Sequence, residues 1–333
     1  MVKDEIKKQS EAEKQKIIEE IYAESENNFE ALCEVYNNNY KKCLPFLGAG
    51  ISSPTGISNW DNLLLNLANC KEEKYTLTSI KELIAKHDYP KTASILKYEI
   101  DDDITYKRFL SDQFNPTNTL TTSTIIKIVY KFHSIITTNF DTTVEEAIKT
   151  IDFIKNEVSK SGKQYLPFFD STSLQDLKQI VYLHGHKDTD TFLLTEEEYK
   201  KFYPSNYDEK NNDSLEDLED FLKNIITSMN LVFMGFSFED ENFSNFFKKR
   251  VEQFNQNYER KKEQGFTSNN VELNHFAFIK SNESSMIGKC DQLKEMGIKP
   301  IFFKGNYSDL EFYIEKLKVE KMTIKKEEEY PSE

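Results

Sequence analysis

The sequence predicts an α/β fold: a parallel sheet flanked by helices, with a smaller, mostly helical insertion layer. Three observations predict it. Short apolar runs recur at 43–47, 134–138, 180–184, 231–236, 275–279 and 300–303. Helical patterns separate most of them, and buried runs spaced by helices belong to parallel sheets. Four of the runs end in small or polar residues, "GAGIS", "TTNFD", "HGH" and "GFSFED". In such sheets ligands gather outside the carboxyl ends of the strands.

The chain is long enough for one large domain or two modest ones, at 333 residues. Its 25 Phe and 17 Tyr compensate for a modest aliphatic content, so a sizeable core is expected. The net charge of −14 disfavours direct, non-specific binding to a phosphate backbone. None of Cys33, Cys43, Cys70 and Cys290 forms a C-x-x-C pair, so a cysteine zinc ribbon is absent and reduced thiols are expected. The charged N-terminus has no apolar signal core, and no run of about 18 apolar residues exists to span a membrane. A soluble cytoplasmic protein is expected.

In chain order, residues 1–42 form a charged N-terminal helical arm. Ile17, Ile18, Ile21, Tyr22, Phe29, Leu32, Val35 and Tyr36 recur near a helical period. The arm is expected to pack on the body or on a partner, with about ten residues frayed at its start. Residues 43–320 are the main domain. Its first strand, 43–47, runs into "GAGISSPTGIS". The helix "NWDNLLLNLANC" follows, capped by Ser58 or Asn59 and burying Leu63, Leu64 and Leu67. A helical insertion spans about 71–127. After the second run, "DTTVEEAIKT" is a helix with Asp141 as a candidate N-cap. A second insertion spans about 187–228, with a mobile loop over 204–217. The helix "FEDENFSNFFKKRVEQF" follows the fourth run. Residues 321–333 read as a disordered acidic tail.

Each cluster has a chemical and a plain structural reading. Small residues in "GAGIS" admit a phosphate to the backbone, with Ser52 and Ser53 as hydroxyl donors, or make an ordinary tight turn. Asn139 can orient a water or read a carboxamide; Asp141 can bond a ligand hydroxyl or cap a helix. His184 is a candidate general base or a satisfied strand-end histidine. A metal on His184 and His186 is disfavoured, because alternate strand residues face opposite sides. A serine hydrolase built on Ser52 or Ser237 with His184 and Asp141 lacks the G-x-S-x-G turn. Gly235 and Ser237 line a ribose or phosphate, or make a strand-to-helix turn.

The order of the clusters carries more than any one of them. G-A-G-[IV]-S, T-x-N-[FY]-D, L-H-G and G-[FY]-S-x-x-D, in that order, resemble the bacterial sirtuin-like NAD-consuming proteins of antiphage defence. "GISNWDNLL" and "LLTEEEYKKF" add to the resemblance, which runs from about residue 43 to 317. It implies a Rossmann-like sheet that binds NAD+ as substrate. Gly48, Ala49, Gly50, Ile51 and Ser52 would hold the pyrophosphate and nicotinamide side. Thr138, Asn139 and Asp141 would line the nicotinamide-ribose pocket. His184 would be the base, so Asn139 and His184 are the implied catalytic pair. Gly235, Phe236 and Ser237 would hold the adenosine half, with 280–282 or 304–306 as candidate contacts for its ribose. Trp60 reads as core ahead of ligand contact.

Two departures bear on the reaction. The four-cysteine zinc module of the protein deacylases is missing after the H-G, so no zinc is expected. Thr138 stands where deacylases have glutamine. Water is therefore the expected acceptor, and the implied activity is an NAD+ glycohydrolase giving nicotinamide and ADP-ribose. The implied role is the NAD-depleting effector of an abortive-infection system. Its regulator would be a separate HerA-like ATPase, short Argonaute or nucleotide-processing enzyme, and the effector is expected to be an oligomer. The alternatives are a non-catalytic subunit that senses NAD or ADP-ribose and, less favoured, a deacylase or ADP-ribosyltransferase.

Overall fold

The computed structural model describes residues 2–69, 74–100, 102–115, 122–155, 161–189, 191–203, 216–265 and 273–318. Cys70, nearly all of the 204–217 loop and the 321–333 tail lie outside the described residues.

Seven parallel strands form one sheet: β1 (Cys43–Leu47), β2 (Ile135–Thr137), β3 (Ser161–Tyr165), β4 (Lys178–Tyr182), β7 (Asn230–Met234), β8 (His275–Lys280) and β9 (Ile298–Phe303). Their order is β3-β4-β2-β1-β7-β8-β9. The apolar runs of the sequence supply six of them. The seventh, β3, reads "SGKQY" and pairs along its length with β4. It lacks an apolar signal because it is an edge strand. A short antiparallel hairpin, β5 (Gly185–His186) with β6 (Thr191–Phe192), stands apart. The expected α/β class, a Rossmann-like parallel sheet with flanking helices, is the observed one.

Strand side chains alternate between two apolar layers. Leu44, Phe46, Val181, Leu231 and Phe233 join one core with α10 (Glu216–Ser228) and α11 (Glu241–Glu263). Cys43, Leu47, Ile180, Tyr182, Val232 and Met234 join the other. There they meet α1 (Val2–Asn38), α7 (Ser123–Lys131), α8 (Thr143–Lys155) and α13 (Leu310–Lys316). The arm therefore packs on the body. Ile18 and Ile21 of α1 also pack with Cys290 of α12 (Met286–Glu295) and Phe302 of β9.

A separate apolar cluster forms the helical layer. It joins α3 (Trp60–Ala68), α4 (Lys74–Ala85), α5 (Tyr89–Ile100) and α6 (Asp103–Gln113) to Phe140, Phe192 and Leu194. The stretch 187–228 divides between layers. β6 supplies Phe192 to the helical layer. α9 (Glu196–Phe202) and α10 pack in the main core through Tyr199, Phe202, Leu218, Leu222 and Ile225, because the apolar side of α10 faces the sheet.

The chain leaves β1 toward β2, β4 and β3 on one side, and later returns to fill β7, β8 and β9 on the other. Beside β1 the direction of winding reverses, which opens a crevice at the carboxyl ends of the central strands.

Candidate active site

All four polar clusters meet in that crevice, in one cavity of about 890 Å³. Gly48, Ala49, Gly50 and Ser52 line it after β1, and Thr138, Asn139 and Asp141 after β2. His184 lines it after β4, and Gly235, Phe236 and Ser237 after β7. Ile51 is buried in the core beneath the loop and is not among the lining residues. Neither 280–282 nor 304–306 lines the cavity, whereas the adjacent Tyr307 does.

Backbone packing sets the β1 loop. Gly48 N–H donates to Met234 O and Gly50 N–H to Gly235 O, both at 3.0 Å. A Cβ on Gly48 would lie 2.5 Å from Gly235 O, and one on Gly50 would lie 2.6 Å from the Tyr307 hydroxyl. Gly235 itself has φ +66, and a Cβ there would strike Ile51 N at 2.5 Å. The glycines thus let two strand-end turns and Tyr307 close on one another. Gly48 and Gly50 N–H are thereby engaged within the protein.

The β2 turn is tied to this loop by side chains. Asn139 Nδ2 donates to Gly48 O at 3.1 Å and to Ser52 Oγ at 2.9 Å. The Ser52 hydroxyl also acts on the Asp141 carboxyl, favouring its charged form. Asp141 Oδ1 also accepts Thr143 N–H at 2.9 Å, at the start of α8. Asp141 therefore both caps and faces the cavity. Its burial raises its pKa; the Thr143 bond, the Ser52 hydroxyl and the nearby His186 oppose that shift.

His184 is 3% exposed, and its Nε2 has no hydrogen-bond partner. Burial lowers its pKa, and the Asp240 carboxylate works against that shift. A buried ring nitrogen without a partner on a cavity wall is able to take a hydrogen bond from a bound group. His186 turns elsewhere, with Nε2 3.3 Å from Glu145 Oε1. Among the described residues no group of three or more His, Cys, Asp or Glu is placed to hold a metal. Burial raises the pKa of Cys33, Cys43 and Cys290, to about 12 for Cys43, which keeps these thiols protonated.

Several lining residues escaped the sequence reading. Asp240 closes the G-[FY]-S-x-x-D pattern, whose spacing by itself gives it no role, and it lines the cavity. Tyr199 sits in "LLTEEEYKKF" with nothing local to mark it. Trp60, expected as core ahead of ligand contact, packs on the helical layer and also lines the cavity, stacked on Tyr89 at 5.6 Å between ring centroids. Tyr89 is fixed by its hydroxyl bond to Asp61, 2.9 Å. Asp61, Asp88, Glu239 and Glu241 add carboxylates, so the charged groups of the wall are mainly acidic.

No described helix is long and apolar enough to cross a membrane. The SIR2-like domain family matches residues 133–301, half of the chain. That match takes in the second, third and fourth clusters; the β1 loop lies outside it and is joined to it by the hydrogen bonds above. A search of curated proteins found no match.

Proposed function

The chain belongs to the SIR2-like family, and on that footing we propose that it is an NAD+ glycohydrolase acting with Asn139 and His184. The observation that carries this reading is the convergence of four strand-end clusters on one cavity, with a buried, unpartnered His184 nitrogen in its wall. In the reaction the bond between the nicotinamide nitrogen and ribose C1′ breaks, and its electron pair leaves with neutral nicotinamide. Water forms the new bond to C1′, giving ADP-ribose and one proton. Nicotinamide is a good leaving group, so positioning and charge stabilisation supply most of the catalysis.

The residues fit that division of work. Asn139, held by two hydrogen bonds, orients the nicotinamide ribose or the water. The acidic wall favours the oxocarbenium-like cation that develops as nicotinamide departs. His184, kept neutral by burial, accepts the proton from water or a ribose hydroxyl. Ser52, Asp141, Gly235, Phe236 and Ser237 complete the dinucleotide's surroundings, and Thr138 lines the nicotinamide side. The physiological role we propose is depletion of NAD+ during phage infection, released by a separate partner protein. It rests on the resemblance of the ordered motifs.

The test follows nicotinamide release from NAD+ by the full chain, alone and with the products of neighbouring genes. Asn139→Ala and His184→Ala are each expected to reduce release by about 10²-fold or more while the fold persists. Near-normal turnover by either variant in the active assembly would refute the assignment. Tight NAD+ binding with no release in any assembly would favour a sensing subunit instead.

A further inference from the structure

If His184 takes up a proton, as the preceding reading requires, a buried imidazolium has to be stabilised. Burial works against that charge, and the group that favours it is Asp240. Asp240 Oδ2 stands 4.0 Å from His184 Nε2. That is too long for a hydrogen bond, but within the range where an opposite charge favours the protonated form.

Asp240 is held in place from two other sides. Its Oδ2 accepts the Tyr199 hydroxyl at 2.9 Å, and its Oδ1 accepts Phe243 N–H at 3.1 Å as the N-cap of α11. The Tyr199 ring stands edge-on to His184, with centroids 6.0 Å apart at 80°. All three residues line the cavity. Of the neighbouring carboxylates, Asp141 accepts Thr143 N–H at 2.9 Å, and the charge that acts on His184 is that of Asp240 rather than Glu239. Among the described residues, Asp240 from the β7–α11 turn is the charged group that faces His184, and Tyr199 from α9 is the titratable one.

We propose that Asp240, anchored by Tyr199, is the positioning residue for His184 and supplies the counter-charge for its protonated form. Asp240 takes no proton itself. The proton moves from water or ribose hydroxyl to the imidazole and passes to solvent when ADP-ribose leaves. The pairing also gives a reason for the aspartate that ends the fourth motif: one side chain caps α11 and presents a fixed negative charge to the third motif's histidine.

The decisive experiment is an NMR titration of the ligand-free full chain with labelled histidine, the His184 signal being assigned by its loss in His184→Ala. Asp240→Asn keeps a side-chain oxygen for the helix cap. It is expected to move the His184 midpoint to lower pH, whereas Glu239→Gln leaves it in place. Tyr199→Phe is expected to shift it less, in the same direction, because it loosens the carboxylate without neutralising it. In the nicotinamide assay Asp240→Asn is expected to lower kcat by about 10-fold or more with little change in KM. An unchanged His184 midpoint in a folded Asp240→Asn protein would overturn the proposal, as would a variant that raises KM alone. If Asp240→Asn fails to fold, an unchanged midpoint in Tyr199→Phe overturns it. The titration needs no turnover, so a chain that never releases nicotinamide sinks the glycohydrolase reading and still leaves the pairing decided.

Discussion

Glu145, in the first turn of α8, carries a charge in a buried setting beside the site. His186 Nε2 lies 3.3 Å from Oε1, the Tyr182 hydroxyl donates to Oε1 at 3.0 Å, and Lys163 pairs with Oε2. Burial alone would raise its pKa, but His186, Lys163 and Tyr182 together bring it down to about 2. A folded-state value below the unfolded one means that its stabilisation is complete above about pH 4.5 and is lost as pH falls toward about 2. His275 works in the same direction. Buried beneath α11 with Nδ1 accepting Leu231 N–H, it titrates near 3 because burial disfavours its charged form. Its contribution fades as pH falls from about 6.5 toward about 3. Chemical denaturation against pH is therefore expected to show stability falling from near pH 6.5 downward. Glu145→Gln should flatten the lower part of that slope and cost about 1–3 kcal/mol near pH 7. A slope unchanged by Glu145→Gln would exclude Glu145 as its source. At Gly235, alanine would need a strained positive φ and would strike Ile51 N. Gly235→Ala is expected to lower the melting temperature and abolish NAD+ binding; calorimetry and a binding titration check both.

Among the elements, α1 does more than lie on the surface. β9 is an edge strand, and an open edge invites pairing with another chain. α1 covers it with side chains as well as apolar bulk. Asn28 Nδ2 donates to Pro300 O at 2.9 Å, and Ser25 Oγ accepts Phe302 N–H at 3.2 Å, so two free strand groups are satisfied. Lys294 of α12 pairs with Glu24 from the side. The double variant Ser25→Ala with Asn28→Ala is expected to destabilise the chain by about 1–3 kcal/mol. Deleting α1 should produce concentration-dependent association, which light scattering would read. A truncated chain that is stable and associates no more than the full chain would show that the edge needs no cover. The helix starts follow ordinary capping: Asn59 accepts Asn62 N–H at 2.9 Å for α3, and Thr195 with Glu198 forms a capping box for α9. Lys97 of α5 then bonds Glu198 at 3.0 Å, which ties the helical layer to the helix that carries Tyr199.

For the molecule as a whole, the sequence already carries the fold class, six of the seven main strands and the four clusters. Each rests on a local signal: an apolar run, a small-residue turn, a helical period. β3 escaped because an edge strand needs no apolar run. The purpose of Gly48 and Gly50 escaped because their neighbours, Gly235 and Tyr307, lie far along the chain. The acidic wall and the place of Tyr199 escaped for the same reason, since helices from separate stretches bring them to the cavity. What the amino-acid order determined by itself is the alternation of strands and helices, and which residue types end each strand. Only the tertiary structure decided which of those ends meet, that Asn139 bonds the β1 loop, and that His184 is buried in the cavity wall 4.0 Å from Asp240. The physical reason is reach. Periodicity and turn chemistry act over a few residues, whereas burial and charge pairing depend on groups dozens of residues apart that the sheet order alone makes neighbours.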